Sequence, residues 1–394
     1  MPSLRSLSES GQRLIPVQYE RNDKMKRDDN GQKRIAFLDW LRFAACFMVM
    51  AIHACEPFYL GGAAPNTTSI ANRWDAIWIT VTECICRVCV PLFVITSSYL
   101  LFPLKCTTGD FFRRRFTRIV VPFMIWAVAY VLWFGGDLWR LCFNFPDEGG
   151  HLWFVPMLLG LYVAMPLLSP WAERVGQKEL SGWILLWLIT TLFPFVRFLW
   201  GNLYGEPPFG AVPYLFGECP WNTFGMFHYV SGFIGYMLIG LWFRKFGSSL
   251  SWGRTLSIAI PTWLIGISVI GLPFFFRIPS FPYSAPYSAA VKLEMSIEYN
   301  SFGVALATIA AFLVFRKMDF RGWVYEKVVR PVSEASYGMY LIHMAVLLAV
   351  FDVAHARFST PNTILLTAVA TFTATAVVAV CVRKIPVVGR LICG

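Results

Sequence analysis

The chain has 394 residues, of which 57% are hydrophobic and only 14% charged, against about 25% charged in an ordinary soluble domain. Aromatic residues make up 17%, and the formal net charge is +11. These figures exclude a disordered chain, a coiled coil and a soluble enzyme of the usual kind, and they point to an all-α polytopic membrane protein. On such a protein an excess of cations signals orientation, so it makes no case for nucleic acid.

The first 34 residues are polar and basic, with Arg5, Arg13, Arg21, Lys24, Lys26, Arg27, Lys33 and Arg34 but no apolar run of the kind a signal peptide needs. They read as a disordered cytoplasmic tail. A membrane helix requires about 20 mostly apolar residues. Ten candidate spans follow, near 36–56, 76–102, 119–136, 152–169, 181–199, 225–243, 256–276, 299–315, 334–354 and 363–382. With the N-terminus placed in the cytoplasm, the segments on that side hold 26 Lys and Arg, and the outer segments and helix ends hold 6. That asymmetry predicts about ten transmembrane helices with both termini cytoplasmic. The domain reading is a basic tail over 1–34, a ten-helix membrane domain over 35–385 and a short cytoplasmic tail over 386–394. No loop is long enough to form a separate soluble domain, and no internal repeat is present.

The first span carries four polar groups. Arg42 and His53 are 11 residues apart, which is about three helical turns and about 16 Å along the axis. Asp39 lies three residues before Arg42 and Glu56 three after His53, so all four fall on one stripe. Ionisable groups in a bilayer are costly and face a bundle interior or a watery cavity. Two readings remain open at this level: an internal Asp39–Arg42 ion pair with an interfacial His53, or a polar conduit linking the two sides.

The run Asp39-Trp-Leu-Arg42, followed after ten residues by His53, resembles the first-helix signature of the membrane acyltransferase type 3 family. Further segments resemble that family in order. They are Arg87-Val-Cys-Val-Pro91-Leu-Phe93 through Ser97-Ser98-Tyr99-Leu-Leu, Arg115-Phe-Thr-Arg118-Ile-Val-Val-Pro122, His151-Leu-Trp153-Phe154 with Tyr162 and Pro166, and Ser336-Tyr337-Gly-Met-Tyr340-Leu-Ile-His343. One departure is Ser98, where the family often carries glycine at a close helix contact. The family includes bacterial O-acetylases of lipopolysaccharide, peptidoglycan and exopolysaccharide. The resemblance implies a cytoplasmic acyl-CoA donor, acetyl before succinyl, and a hydroxyl acceptor on a cell-envelope glycan or lipid-linked sugar. It implies an integral protein of a bacterial cytoplasmic (inner) membrane.

The residues suit that chemistry. Acyl transfer to a hydroxyl needs a base and a group for the developing oxyanion. His53 is the expected base or transient acyl carrier, because imidazole titrates near working pH. Glu56 is placed to orient its ring, since i,i+3 neighbours meet on a helix. Arg42 is expected to contact the pantetheine or thioester end of the donor and to stabilise negative charge, and Asp39 completes the set. Arg115 and Arg118 are expected to hold coenzyme A phosphates, which arginine grips bidentately; membrane anchoring is the plainer reading of the same cations. Glu83 and Arg87, one turn apart, are either a buried ion pair holding the bundle or part of the site, with Arg87 grouped with the donor. His151, Trp153, Ser336, Tyr340 and His343 are expected on the acceptor side, although a Trp there also fits an aromatic belt. His228 and His355 are given no role.

Cys84, Cys86 and Cys89 look metal-like as a string, but on a helix Cys84 and Cys86 point about 200° apart, so no metal site is expected. Cys142 and Cys219 fall in outer loops and are able to pair in an oxidising compartment. No Walker loop, dinucleotide fingerprint or HExxH motif occurs. The alternative from another class is a transporter or exporter of a glycan or small solute, using the same intramembrane polar face. The sequence sets no oligomeric state.

Overall fold

Helix α1 (Ala36–Cys55) is apolar over most of its surface, as expected of a helix surrounded by others rather than by water. The computed structural model describes residues 34–59, 70, 72–142, 147–192, 229–278 and 297–394, all helical or irregular, with no strand among them. The chain divides into two units, Met1–Ile35 and Ala36–Gly394. The second holds every helix named below.

Among the described residues eleven further helices follow: α2 (Arg73–Cys86), α3 (Cys89–Leu101), α4 (Thr108–Phe134), α5 (Phe154–Arg174), α6 (Gln177–Thr190), α7 (Ile234–Phe246), α8 (Trp252–Arg277), α9 (Phe302–Phe315), α10 (Arg330–His355), α11 (Thr360–Arg383) and α12 (Val388–Cys393). Each of the ten apolar segments contains helix. Among the described residues, seven stretches are long and apolar enough to cross a membrane: Ala36–Phe58, Arg73–Leu101, Thr108–Phe134, Gly150–Arg174, Trp252–Phe276, Tyr325–His355 and Thr360–Arg383. Helices α6, α7 and α9 have 14, 13 and 14 residues, short of the about 20 a full crossing needs.

The local chemistry of the ends is conventional. Asn72 caps α2, its Oδ1 accepting from the backbone N–H of Trp74 and Asp75. Thr107 caps α4 and also donates to Asp110, and Gly135 closes the helix in the left-handed region at φ +74°. The segment expected as one helix over 76–102 is broken between α2 and α3, at Arg87 and Val88. Pro91 explains the break, because its ring excludes the carbonyl four residues back, that of Arg87. Helix α4 begins eleven residues before its expected start near 119, so Arg113 to Arg118 are helical rather than loop. The residues expected as a tail over 386–394 instead include α12, which packs on α4 and α10. Trp126 Nε1 donates to the Ile392 carbonyl at 3.0 Å. Gly338 of α10 lets it approach; a Cβ there would stand 2.7 Å from Cys393 Cβ.

Helix α1 is the hub. It packs against α2, α3, α9, α10 and α11. On α11 the buried stripe facing it is built of small residues, among them Thr367, Ala368, Thr371, Thr375 and Ala379, the pattern that lets membrane helices approach closely. The N-terminal end of α1 is tied to the start of α10. The Asp39 carboxylate accepts from Tyr325 OH at 2.8 Å and Ser333 Oγ at 2.7 Å. Tyr325 opens a π-helical turn, Tyr325–Val329, that leads into α10.

The Ser98 departure resolves at the α3–α7 contact. Ser98 Oγ donates to the Met237 carbonyl at 2.6 Å. The glycine that permits close approach sits on the opposite helix, as Gly240, where a Cβ would lie 2.8 Å from the Ile95 carbonyl oxygen and 2.9 Å from Ser98 Cβ.

Candidate active site

The end of α1 presents His53 with its Nδ1 2.6 Å from Glu56 Oε2. Glu56 opens a short 3-10 turn, Glu56–Phe58, just past the helix end. A carboxylate accepts only, so Nδ1 carries the proton and donates it. In the neutral ring Nε2 is then left with its lone pair, the arrangement that sets an imidazole up as a base. His53 and Glu56 are 15% and 17% exposed in their side chains, so the pair is partly desolvated yet reachable.

Two further histidines join it from distant parts of the chain. The His343 ring, on α10, is centred 5.0 Å from that of His53. The His151 ring, in the 3-10 turn Asp147–Trp153 before α5, is centred 5.1 Å from that of His343 at 90°. His343 Nδ1 lies 2.5 Å from the Tyr340 carbonyl oxygen, which again fixes Nδ1 as the donor. The Nε2 atoms of both His343 and His151 are buried with no hydrogen-bond partner among the described residues. Such groups are rare in a settled interior and mark a place where a ligand or water completes the bonding. Three imidazoles in a row, one tied to a carboxylate, define a site able to accept, hold and pass a proton.

Tyrosines frame the cluster. Tyr340 OH donates to the His151 carbonyl at 2.7 Å, fixing the turn that carries the ring. Tyr130 of α4 sets its ring edge against His151 at 4.7 Å and donates its hydroxyl to the Leu341 carbonyl. Its position in an apolar helix offered no sequence signal.

A second polar group lies beside the turn that bears Glu56. Tyr59 OH donates to Glu83 Oε1 at 2.8 Å, and Glu83 Oε2 pairs with Arg87 at 3.2 Å. Arg87 also donates from Nε to the Ile297 carbonyl at 2.9 Å and lies 4.6 Å over the Tyr299 ring. Arg87 thus forms a buried ion pair with Glu83, and its guanidinium links the end of α2 to the segment before α9. Tyr299 in turn packs on Trp153 at 5.4 Å, and Trp153 also meets Phe233 at 5.9 Å. Trp153 therefore belongs to this flanking aromatic wall and not to the imidazole row.

The other expected residues fall as follows. Arg42 is half-buried on α1, eleven residues below His53 on the same stripe. Ser336 abuts α1, its carbonyl 3.9 Å from Cys46 Sγ, between the levels of Arg42 and His53. Asp39, tied to Tyr325 and Ser333, anchors α1 at the far end from His53. Arg115 and Arg118 are on the first turns of α4. His355 stacks on Phe351 at 5.5 Å, away from the cluster. Cys219 and His228 lie outside the described residues, so the pairing of Cys142 with Cys219 does too. Among the described residues no group of His, Cys, Asp and Glu is arranged to hold a metal.

A chain that is all-helical among its described residues, with membrane-length helices, is, as a class, an integral-membrane helical protein. The family match makes the class specific. Residues 35–383 match the acyltransferase domain of the acyltransferase 3 family, and the chain belongs to that family of membrane acyltransferases. No curated protein and no solved structure matches it.

Proposed function

We propose that the protein is an integral-membrane O-acyltransferase that moves an acyl group, acetyl in the first instance, from cytoplasmic acyl-CoA to a hydroxyl of a cell-envelope carbohydrate. The observation that carries this reading is the His53–Glu56 contact of 2.6 Å inside a cluster with His343 and His151. The domain is taken to cross a bacterial inner membrane about ten times with both termini in the cytoplasm, as the Lys and Arg asymmetry supports. On that topology Arg42 lies toward the cytoplasm and His53 toward the outside.

His53 Nε2 then works in one of two ways. As a base it takes the acceptor hydroxyl proton while the oxygen attacks the thioester carbonyl; the C–S bond then breaks and the leaving coenzyme A sulfur receives that proton back from the imidazolium. As a carrier it attacks that carbonyl itself, and the thiolate leaves before the acceptor arrives. In both routes Glu56 holds the ring and stabilises the imidazolium, as a carboxylate does in hydrolase triads. Arg42, about 16 Å from His53 along α1, contacts the pantetheine arm of the donor on its way to His53, and Arg115 and Arg118 attract its phosphates. His343 and His151, with Tyr340 and Ser336, face the acceptor, their open Nε2 positions offering hydrogen bonds to hydroxyls. Arg87 and Trp153 support the wall beside them.

Incubating purified protein with acyl-CoA tests the reading. Thiol release and acyl transfer are expected, and His53→Ala is expected to abolish both with an unchanged melting midpoint. Full turnover by a folded His53→Ala protein would sink the assignment. Movement of a glycan across vesicles with no acyl donor and no thiol release would favour an exporter instead.

A further inference from the structure

A cavity of about 460 Å³ opens far from the imidazoles, lined by Arg113, Arg114, Thr117 and Arg118 of α4, Arg383 at the end of α11, and Gly389, Arg390 and Gly394 in and after α12. Its walls come from three separate helices. The chain is turned back at Val387, whose φ of +66° is unusual for a β-branched residue. Helix α12 is drawn up so closely that a Cβ on Gly389 would stand 2.8 Å from the Arg383 carbonyl oxygen. Arg115, by contrast, does not line the cavity.

Five guanidinium groups around one space repel each other. Among the described residues the carboxylate paired with any of them is Glu334, 3.8 Å from Arg383 and itself shared with Arg330. Cationic residues that only anchor a protein to its membrane need to lie near the interface, and nothing requires them to converge on a cavity from three helices. Convergence is what a polyanion requires, and the planar guanidinium fork matches phosphate oxygens in pairs. The position fits as well. Arg118 and Tyr130 are twelve residues apart on α4, about 18 Å along the axis, and Tyr130 touches His151. The cavity and the imidazole cluster therefore stand at the two ends of one extended arm, comparable in reach to pantetheine.

We propose that this cavity binds the phosphates of the acyl donor, with Arg383 and Arg390 joining Arg113, Arg114 and Arg118 around the ribose 3′-phosphate and diphosphate of a coenzyme A thioester. The proposal rests on the acyl-CoA reading above. It adds a helix, α12, and a residue, Arg390, that lie beyond the residues 35–383 matched to the family.

The test uses full-length protein in detergent and in nanodiscs. Adenosine 3′,5′-bisphosphate serves as the binding probe, and acyl-CoA and its dephospho analogue as donors. Arg383→Gln and Arg390→Gln are each expected to weaken probe binding about 10-fold or more, the loss of a charge-assisted contact. KM for acyl-CoA should rise in step with kcat near the wild-type value, and the dephospho donor should respond far less. Arg390→Lys, which keeps the charge and the packing stem, should recover part of the loss, showing that α12 has not simply come undone. An unchanged probe affinity and KM in both Gln variants would overturn the proposal. So would binding that tracks the anionic lipid content of the nanodisc and ignores the bisphosphate, which would assign the cavity to a lipid headgroup. Arg390-dependent probe binding without acyl-CoA turnover would uphold the cavity and refute the acyl-transfer reading. Normal turnover with unaltered KM in the Gln variants would do the reverse.

Discussion

Glu56→Gln tests the chemistry most directly. The carboxylate lies 2.6 Å from His53 Nδ1, in a pair whose side chains are only 15% and 17% exposed. A hydrogen bond to a charged partner contributes about 1.5–3 kcal/mol in such a setting. At 1.36 kcal/mol per decade, losing the charge alone should lower kcat by about 10- to 150-fold. A second effect adds to this. The Gln amide can present its NH₂ to Nδ1, which would move the ring proton to Nε2 and remove the lone pair that acts. In carboxylate–imidazole triads that inversion lowers kcat by ~10,000-fold, so this sets the upper bound. The volume is conserved, so the fold should survive. The assay is the rate of thiol release from acyl-CoA by purified variant and wild type, with thermal unfolding of both as the control. A folded Glu56→Gln protein that keeps kcat within about threefold of wild type would refute the claim that the carboxylate supports the base, since the smallest effect expected is about tenfold.

Two further outcomes follow from the packing. Asp39→Ala leaves the Tyr325 and Ser333 hydroxyls without their buried acceptor; a penalty of about 1–3 kcal/mol is expected, read as a lower melting midpoint, and an unshifted midpoint would show that α1 is not anchored there. Gly240→Ala pushes a methyl to 2.8 Å from the Ile95 carbonyl; α3 and α7 must part, at a cost of about 1–3 kcal/mol, and a variant as stable as wild type would mean that the contact gives way freely.

Much of the site was legible locally. The His53–Glu56 contact needs only three residues of chain, and helical spacing brought the two together without knowledge of any partner. The broken second span carried its own signal in Pro91, which the hydropathy of 76–102 overrode. The grouping of His53, His151 and His343 had no such signal. Each was singled out alone, but they are separated by 98 and 192 residues, and no periodicity reports which helices become neighbours. Arg87 shows the same limit in reverse. Its i,i+4 partner Glu83 was visible, while the Ile297 carbonyl and Tyr299 ring that complete the clamp were not.

The sequence by itself determined what depends on composition and short spacing: a membrane-embedded helical protein, the position of its apolar segments, a polar stripe on its first helix, and a family. The tertiary structure alone decided which stripes meet. It set the row of imidazoles, moved the helix-lining glycine from the Ser98 side to Gly240, gave Asp39 an anchoring place, and folded the last residues into α12 against α4. The physical reason is that hydropathy ranks a residue's preference for lipid or water but is blind to which neighbour satisfies a buried polar group. That choice is made by close packing between helices far apart in the chain.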